Sequence, residues 1–323
     1  MPTIKIGIVM DPIGSINPKK DTTLAFMLEA QLRGWQIIYM EMADLFMHNG
    51  RPEARMRHVN VFNNTNNWFE FVGEEYGLLS SLDIILMRKD PPFDIDYIMA
   101  TYILEKAEAT GVLVVNKPQS LRDVNEKVFT AWFPQCCPPS ILTRSKNAVK
   151  SFLDIQGKIA VKPTHKMGGQ SVFIITKGDP NTNVIIEEVT QSESRYIQAQ
   201  AYIPEIATIG DKRIILIDGV PVNYGIARIP NGDDHRGNLA AGASANGFTL
   251  TERDYWICSQ IGPTLKERGL LFVGIDVIGE YLTEINVTSP TGICEINKIF
   301  DVNIASMFFD RLNTIIQKRH STM

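Results

Sequence analysis

Leu282-Thr-Glu-Ile-Asn-Val-Thr-Ser-Pro290 is the stretch on which the reading of this chain turns. In a strand successive side chains point to opposite faces, so Glu284 and Asn286 share one face while Ile285 and Val287 share the other. Two hard oxygen donors then project together from an otherwise apolar strand. That pairing suits Mg²⁺, which binds a few protein oxygens and completes its octahedron from water and nucleotide phosphates. An isolated E-x-N pair more often marks the solvated face of an amphipathic strand, but a second carboxylate shifts the balance. Asp276 lies within Val273-Gly-Ile-Asp-Val277, on the preceding strand Leu271 to Ile278, where a carboxylate needs a partner because burying an unpaired charge is costly. Across the Gly279-Glu280 turn, Asp276 comes opposite Glu284 only if the turn is odd in length or a bulge follows Ile278.

A second cluster supplies cations. Lys162 ends the apolar strand Ile159-Ala-Val-Lys-Pro163, on the face opposite Ile159 and Val161, and leads into Met167-Gly168-Gly169-Gln170-Ser171. Glycines let a backbone approach phosphate oxygens closely, and a lysine on the strand neutralises their charge. A lone Gly-Gly is more often a hairpin. Lys127, in Arg122-Asp-Val-Asn-Glu-Lys127, adds a further phosphate contact or is simply a surface lysine. Arg88, Arg213, Arg228 and Arg236 supply guanidinium forks, which match carboxylates and spread phosphoryl charge. Structural ion pairs account for such arginines equally well. No G-x-x-x-x-G-K-[ST], G-x-S-x-G or H-E-x-x-H string occurs, and His165 and His235 fall in loops.

With 323 residues and 44% apolar content the chain can bury the cores of two or three packed lobes. Its 32 Lys and Arg against 36 Asp and Glu create no strong field for nucleic acid or anionic lipid, which leaves small molecules as the expected partners. No apolar run approaches the ~18 residues of a membrane span, and the short apolar N-terminus reads as a strand and not as a signal peptide; a cytosolic protein is expected. Cys136, Cys137, Cys258 and Cys294 lack metal-ligand spacing and read as reduced, structural thiols.

Along the chain, strands at Ile4–Met10, Gln36–Met40 and Asp83–Met87 alternate with a helix at Thr22–Leu32, the order of a parallel α/β sheet. Ile95, Ile98, Met99, Tyr102 and Ile103 have helical spacing, and Gly111 stops that helix before a strand at Leu113–Val115. A boundary is expected at the turn-like Lys117-Pro118-Gln119-Ser120. Beyond it the pattern predicts a mixed α+β region: a helix at Ala148–Gln156, strands at Lys158–Lys162 and Ser171–Ile175, and a hairpin of Arg213–Ile217 with Val222–Arg228 about Asp218-Gly219. The polar segment Pro230 to Phe248 is long for a loop in a compact enzyme and reads as an active-site lid, the alternative being a disordered surface insertion. Thr251 opens the next helix with a capping box to Asp254, and Leu271–Ile278 and Tyr281–Val287 follow as strands.

Taken together, the chain resembles bacterial glutathione synthetases over nearly its whole length. The resemblance is carried by G-I-V-M-D-P-I (Gly7 to Ile13), L-M-R-K-D-P-P-F-D (Leu86 to Asp94), V-N-K-P-Q-S-L-R-D (Val115 to Asp123), N-E-K (Asn125 to Lys127), R-G-N-L-A-A-G (Arg236 to Gly242) and L-T-E-I-N-V-T-S-P-T (Leu282 to Thr291). It implies an ATP-grasp fold behind an N-terminal parallel α/β domain. The units would be residues 1–122, a substrate-binding α/β domain; 123–203, the small α+β lobe; and 204–323, the lobe with the lid and metal site. Lys127 and Lys162 would bind ATP, Met167, Gly168, Gly169, Gln170 and Ser171 would cover its phosphates, Gln200, Ala201, Tyr202 and Ile203 would form the adenine hinge, and Asp211 would meet the ribose. Asp276, Glu284 and Asn286 would hold Mg²⁺ or Mn²⁺. Arg213 and Arg228 would stabilise an acyl phosphate, and Arg88, Arg236, Asn238, Ser289, Pro290, Thr291 and Gly292 would hold the substrate.

The implied reaction is ATP-dependent ligation of γ-glutamylcysteine to glycine through an acyl phosphate, in a cytoplasmic homotetramer without nucleic-acid or membrane partners. The rival readings are an ATP-grasp ligase for another peptide or amino acid, and an ATP-binding protein without activity, like the synapsins. Two segments depart from the family pattern. Thr164-His-Lys-Met-Gly168 replaces an acidic residue and glycine before the methionine, and Ala241-Gly-Ala-Ser-Ala245 lacks the arginine that often follows a glycine pair.

Overall fold

The first apolar run forms β1 (Lys5–Val9), which lies within a seven-stranded sheet of the computed structural model; residues 3–229 and 244–322 are described. After it come α1 (Thr22–Leu32), β2 (Gln36–Met40), β3 (Leu45–His48), β4 (Arg51–Val61), β5 (Phe69–Leu78), β6 (Ile84–Met87), α2 (Ile95–Glu108) and β7 (Leu113–Val115). β2, β1, β6 and β7 are parallel, the arrangement expected of alternating strands and helices. β3, β4 and β5 extend the sheet antiparallel, so it is mixed and not wholly parallel. β5 is exposed on both faces from Glu70 to Tyr76 and therefore carries no apolar alternation by which it could be read.

The helix α2 forms where its spacing predicts, with Asp94 accepting the N–H of Tyr97 as the N-cap. The stripe that packs is Tyr97, Ala100, Thr101, Leu104 and Ala107, whereas Ile95, Met99 and Tyr102 are exposed. Periodicity thus identified the helix, while its buried face is carried by a different stripe. Lys117 to Ser120 also differs from a turn: Pro118 opens α3 (Pro118–Asp123), at a position where the missing N–H costs nothing.

A four-stranded antiparallel sheet follows, in the order β10-β9-β11-β8, made of β8 (Ser140–Thr143), β9 (Lys158–Pro163), β10 (Phe173–Thr176) and β11 (Ile197–Ala201). α4 (Lys146–Gln156) and α5 (Thr182–Thr190) cover one face, over Val149, Leu153, Ile159, Val161, Ile186 and Ile197. Strand alternation leaves Ala160, Lys162, Gln198 and Gln200 on the other face. β10 begins at Phe173, later than expected, because Ser171 adopts a positive φ of 56°.

The last sheet is antiparallel, in the order β14-β13-β12-β15-β16. It contains β12 (Asp211–Ile217), β13 (Val220–Ile229), β14 (Ser244–Thr249), β15 (Phe272–Ile278) and β16 (Tyr281–Asn286), with α6 (Glu252–Glu267), α7 (Ile293–Phe300) and α8 (Ile304–Thr322) beside it. Asp218 (φ 51°) and Gly219 (φ 80°) make the predicted hairpin, and the Thr251–Asp254 capping box opens α6. Most of the segment read as a lid lies outside the described residues, and its end is strand β14, not loop.

The first and third sheets share two continuous apolar clusters, while the four-stranded sheet has its own. Polar clamps reinforce the shared boundary. Asn116, at the end of β7, donates to the carbonyls of Phe272 (2.8 Å) and Val287 (2.7 Å) and accepts the N–H of Phe272 (3.0 Å). Among the described residues no helix is long and apolar enough to cross a membrane.

Candidate active site

Cross-strand register builds the centre of the site. Ile278 pairs with Tyr281 and Val277 with Leu282; a bulge at Thr283 then brings Asp276 opposite Glu284, as the register argument required. On the other side of β15, Asp276 pairs with Arg213 of β12, and Asp211 pairs with Arg228 of β13. Residues two apart share a face, so Asp211, Arg213, Arg228, Asp276, Glu284 and Asn286 all project from the same side of the sheet.

Arg213 grips Asp276 through two bonds, Nε to Oδ1 at 2.6 Å and Nη2 to Oδ2 at 3.0 Å, and its Nη1 donates to the Thr291 carbonyl at 3.0 Å. Arg228 Nη2 lies 2.9 Å from Asp276 Oδ1 and also pairs with Asp211. Asn286 Nδ2 donates to Asp276 Oδ2 at 3.2 Å. Two carboxylates therefore compete for Arg228. Burial raises both, but Arg213 and Arg228 together hold Asp276 well below the usual carboxylate range. Among the described residues Asp211 has an ion pair with Arg228 alone, and its buried Oδ1 has no hydrogen-bond partner; burial pushes it up to about 7. Gly274 makes room for the pair: a Cβ there would lie 2.9 Å from Pro290 Cβ and 3.1 Å from Arg213 Cδ.

One cleft lies between the second and third sheets. Lys162, Gly169, Gln200, Ala201, Tyr202, Ile203 and Asp211 line it, with Asp276 and Glu284 at its polar end and Val172, Ile174, Ile206 and Ile278 as an apolar wall. Lys162 donates to Gln200 Oε1 at 3.0 Å, and burial lowers its pKa. Gln200 Nε2 is buried without a hydrogen-bond partner among the described residues. Lys127 Nζ donates to the Lys166 carbonyl at 2.7 Å and stands 3.6 Å from Glu284. Gly168 (φ 66°) and Gly169 (φ 71°) take positive φ in the turn over this cleft, a conformation glycine adopts without strain.

A second cleft of about 210 Å³ adjoins the first at Asp276 and Glu284. Met167, Gly168, Arg213, Arg228, Asn286, Ser289, Pro290, Thr291 and Gly292 are in its wall, together with Asp90 and Glu126. Arg88 does not line it. Its guanidinium is buried behind the loop, donating to the Pro290 carbonyl (3.0 Å) and Thr23 Oγ1 (3.2 Å), within 5.4 Å and 5.7 Å of the Phe26 and Phe272 ring centroids. Its contact is therefore with the loop and not with the cleft. Arg236 and Asn238 lie outside the described residues. All four cysteines are free, and burial pushes Cys137, Cys258 and Cys294 up to about 12, so none is poised as a nucleophile.

Sequence reasoning passed over Glu126, Asn116 and the apolar wall. Glu126 stood inside the quoted N-E-K string, and only its lysine was used. Nothing local marks Asn116, whose partners lie more than a hundred residues away.

The oxygen donors fit a divalent cation. Asp276, Glu284 and Asn286 offer two carboxylates and an amide on one face, and Asn286 turns its Nδ2 toward Asp276. Among the described residues no cluster of three His, Cys, Asp or Glu forms a complete cage. Such a partial set suits Mg²⁺ or Mn²⁺ that takes its remaining ligands from phosphate and water.

Comparison with known proteins shows the family to which the chain belongs. A family model for the prokaryotic glutathione synthetase N-terminal domain matches residues 4–122, and one for the prokaryotic glutathione synthetase ATP-grasp domain matches residues 126–301. The glutathione synthetase of Escherichia coli strain K12 is 54% identical over 316 residues, covering 98% of this chain and 100% of that protein. That of Shewanella oneidensis is 55% identical over 311 residues, covering 96% and 98%. Among solved structures, the D-cycloserine synthetase DcsG superposes with a TM-score of 0.69 at 14% identity over 96% of this chain and 99% of its own. D-alanyl-alanine synthetase A of Vibrio cholerae gives 0.60 at 12% identity over 98% and 99%. At such identities the structural likeness speaks for the fold.

Proposed function

We propose, from the premise that this chain belongs to the prokaryotic glutathione synthetase family, an assignment of the family's chemistry to its own residues. The chain is an ATP-grasp ligase that joins γ-glutamylcysteine to glycine through an acyl phosphate, yielding glutathione, ADP and phosphate. In the proposed assignment ATP occupies the cleft lined by Lys162, Gln200 to Ile203 and Asp211, with its phosphates toward Lys127, Lys162 and the Met167–Ser171 turn. The single observation that carries it is the row Arg213, Asp276, Glu284, which joins this cleft to the one lined by Ser289 to Gly292.

The dipeptide's cysteinyl carboxylate lies against Ser289–Gly292, where Arg213 and Arg228 receive the negative charge of the acyl phosphate and its tetrahedral successor. No side-chain nucleophile is needed, because phosphoryl transfer is mainly positioning and charge stabilisation. Asp276, Glu284 and Asn286 would hold Mg²⁺ or Mn²⁺, which supplies charge neutralisation on the phosphates. Arg88 is reassigned to supporting the Pro290 loop, and Arg236 and Asn238 are retained as substrate contacts. The three units follow residues 1–122, 123–203 and 204–323, and the active form is a cytoplasmic homotetramer.

The deciding measurement is ADP release with Mg²⁺ and ATP, adding γ-glutamylcysteine and glycine singly and then together. Full turnover requires both, with glutathione identified by mass; a different amine replacing glycine at higher kcat/KM would reassign the acceptor.

A further inference from the structure

Glu126 stands in the partition between two cavities. One is the cleft holding Arg213 and Arg228; the other, about 190 Å³, is walled by Phe93, Asn125 and His165. Its Oε1 accepts the backbone N–H of Val287 (2.9 Å) and of Thr288 (3.1 Å) and the Thr288 hydroxyl (2.9 Å). The Glu126 carbonyl also accepts the N–H of Ile285 at 2.9 Å. Three donors on one oxygen fix the side chain. Oε2 has no hydrogen-bond partner among the described residues and is not sealed from the cavities.

The amine substrate arrives as a zwitterion. Arg213, Arg228 and Lys127 attract its carboxylate but repel its ammonium. Of the carboxylates around the cleft, Asp276 is held by two guanidiniums, and Glu284 faces Lys127 and belongs to the proposed metal set. Asp90 is exposed at the rim, where water weakens any ion pair. Among the described residues Glu126 alone combines an available oxygen with a screened position, where a charge-assisted hydrogen bond is strong. Burial raises its carboxyl against the opposing bonds from Thr288 and Val287, so a cation beside Oε2 restores the ionised form.

We propose that Glu126 is a specificity residue of the ligation: its free carboxylate oxygen receives the ammonium group of the amino-acid substrate. This rests on the functional reading above. The discriminating probe is hydroxylamine, a small nucleophile that is neutral near neutral pH and traps acyl phosphates as hydroxamates. Glu126→Gln keeps an oxygen for Val287 and Thr288 but removes the charge. With saturating ATP and γ-glutamylcysteine, the KM for glycine should rise about 10- to 100-fold in this variant, the loss of one charge-assisted bond. Its KM values for ATP and γ-glutamylcysteine should stay within about twofold, and hydroxamate formation should match the unmodified chain.

Glu126→Asp, which keeps the charge but withdraws it by one methylene, should also impair glycine selectively, and it serves if the glutamine variant does not fold. Equal losses with glycine and hydroxylamine would reduce Glu126 to a packing role and overturn the proposal. So would an unchanged glycine KM, or a shift produced by Asp90→Asn instead. An unmodified chain that makes hydroxamate but no glycine adduct would refute the functional reading itself, a result distinct from every variant outcome.

Discussion

Arg213 and Asp276 face each other across adjacent strands and are joined by two hydrogen bonds of 2.6 Å and 3.0 Å, with neither side chain more than 7% exposed. The pair fixes the guanidinium between the two clefts before any substrate arrives, which removes reorganisation from the reaction.

Arg213→Ala should therefore lower kcat about a hundredfold, the usual effect of losing one preorganised charge-stabilising donor, about 3 kcal/mol. Asp276→Ala should do more damage to the fold itself. It leaves Arg213 buried without its counter-charge and Arg228 with Asp211 as its one carboxylate among the described residues, and breaking a buried pair from one side costs about 3 to 5 kcal/mol. Urea unfolding of both variants, beside single-turnover ADP formation, separates the two effects; an Asp276 variant as stable as the unmodified chain would contradict this account.

The donor set predicts strict dependence on a divalent cation. Chelation should abolish ADP release, and added Mg²⁺ should restore it. Glu284→Gln should shift the Mg²⁺ concentration for half-maximal rate upward by about 10-fold or more while leaving thermal stability nearly unchanged, because Glu284 is partly exposed, lines both clefts and stands as far as 3.6 Å from Lys127. Unaltered Mg²⁺ dependence in that variant would remove Glu284 from the metal set.

Asp211 introduces a pH dependence of known sign. Its carboxyl is raised from 3.8 to about 7 in the folded chain. Below the lower value both folded and unfolded forms are protonated and no penalty exists. Between the two, the unfolded chain releases its proton first, so stability falls as pH rises through that window. Asp211→Asn removes the titration, and its melting temperature relative to the unmodified chain should improve from pH 5 to pH 8. A difference that stays constant across this range would show that Asp211 is ionised throughout.

Gly274→Ala should slow turnover without unfolding the chain. The added methyl meets Pro290 at 2.9 Å and Arg213 at 3.1 Å, so the guanidinium or the Ser289–Gly292 loop must move by a few tenths of an ångström. Turnover should drop about 10-fold or more, since small misplacements of catalytic groups are costly. Circular dichroism and melting should remain close to those of the unmodified chain.

Much of this site was open to reading in one dimension. The alternation in Leu282–Pro290 placed Glu284 and Asn286 on one face, and the buried setting of Asp276 demanded a partner, because strand period and the cost of an unpaired charge are local facts. The capping box at Thr251 and the Asp218-Gly219 turn were likewise local, and both formed. The long shared strings carried the family without any coordinates.

Tertiary structure decided what depends on distant partners. Arg88 reads as a substrate contact until Pro290, Phe26 and Phe272 enclose it, and Asn116 has no local mark because Phe272 and Val287 come from the far half of the chain. α2 shows which of two apolar stripes packs only when its neighbours are present, and β5, exposed on both faces, has no periodicity to read. Sequence by itself determined the periodic and steric features, which each residue carries with its immediate neighbours. Which charge meets which, and hence that Arg213 is locked on Asp276 while one oxygen of Glu126 meets no partner among the described residues, was set by the packing of three sheets around the clefts, because Coulomb and hydrogen-bond energies depend on separation in space and not along the chain.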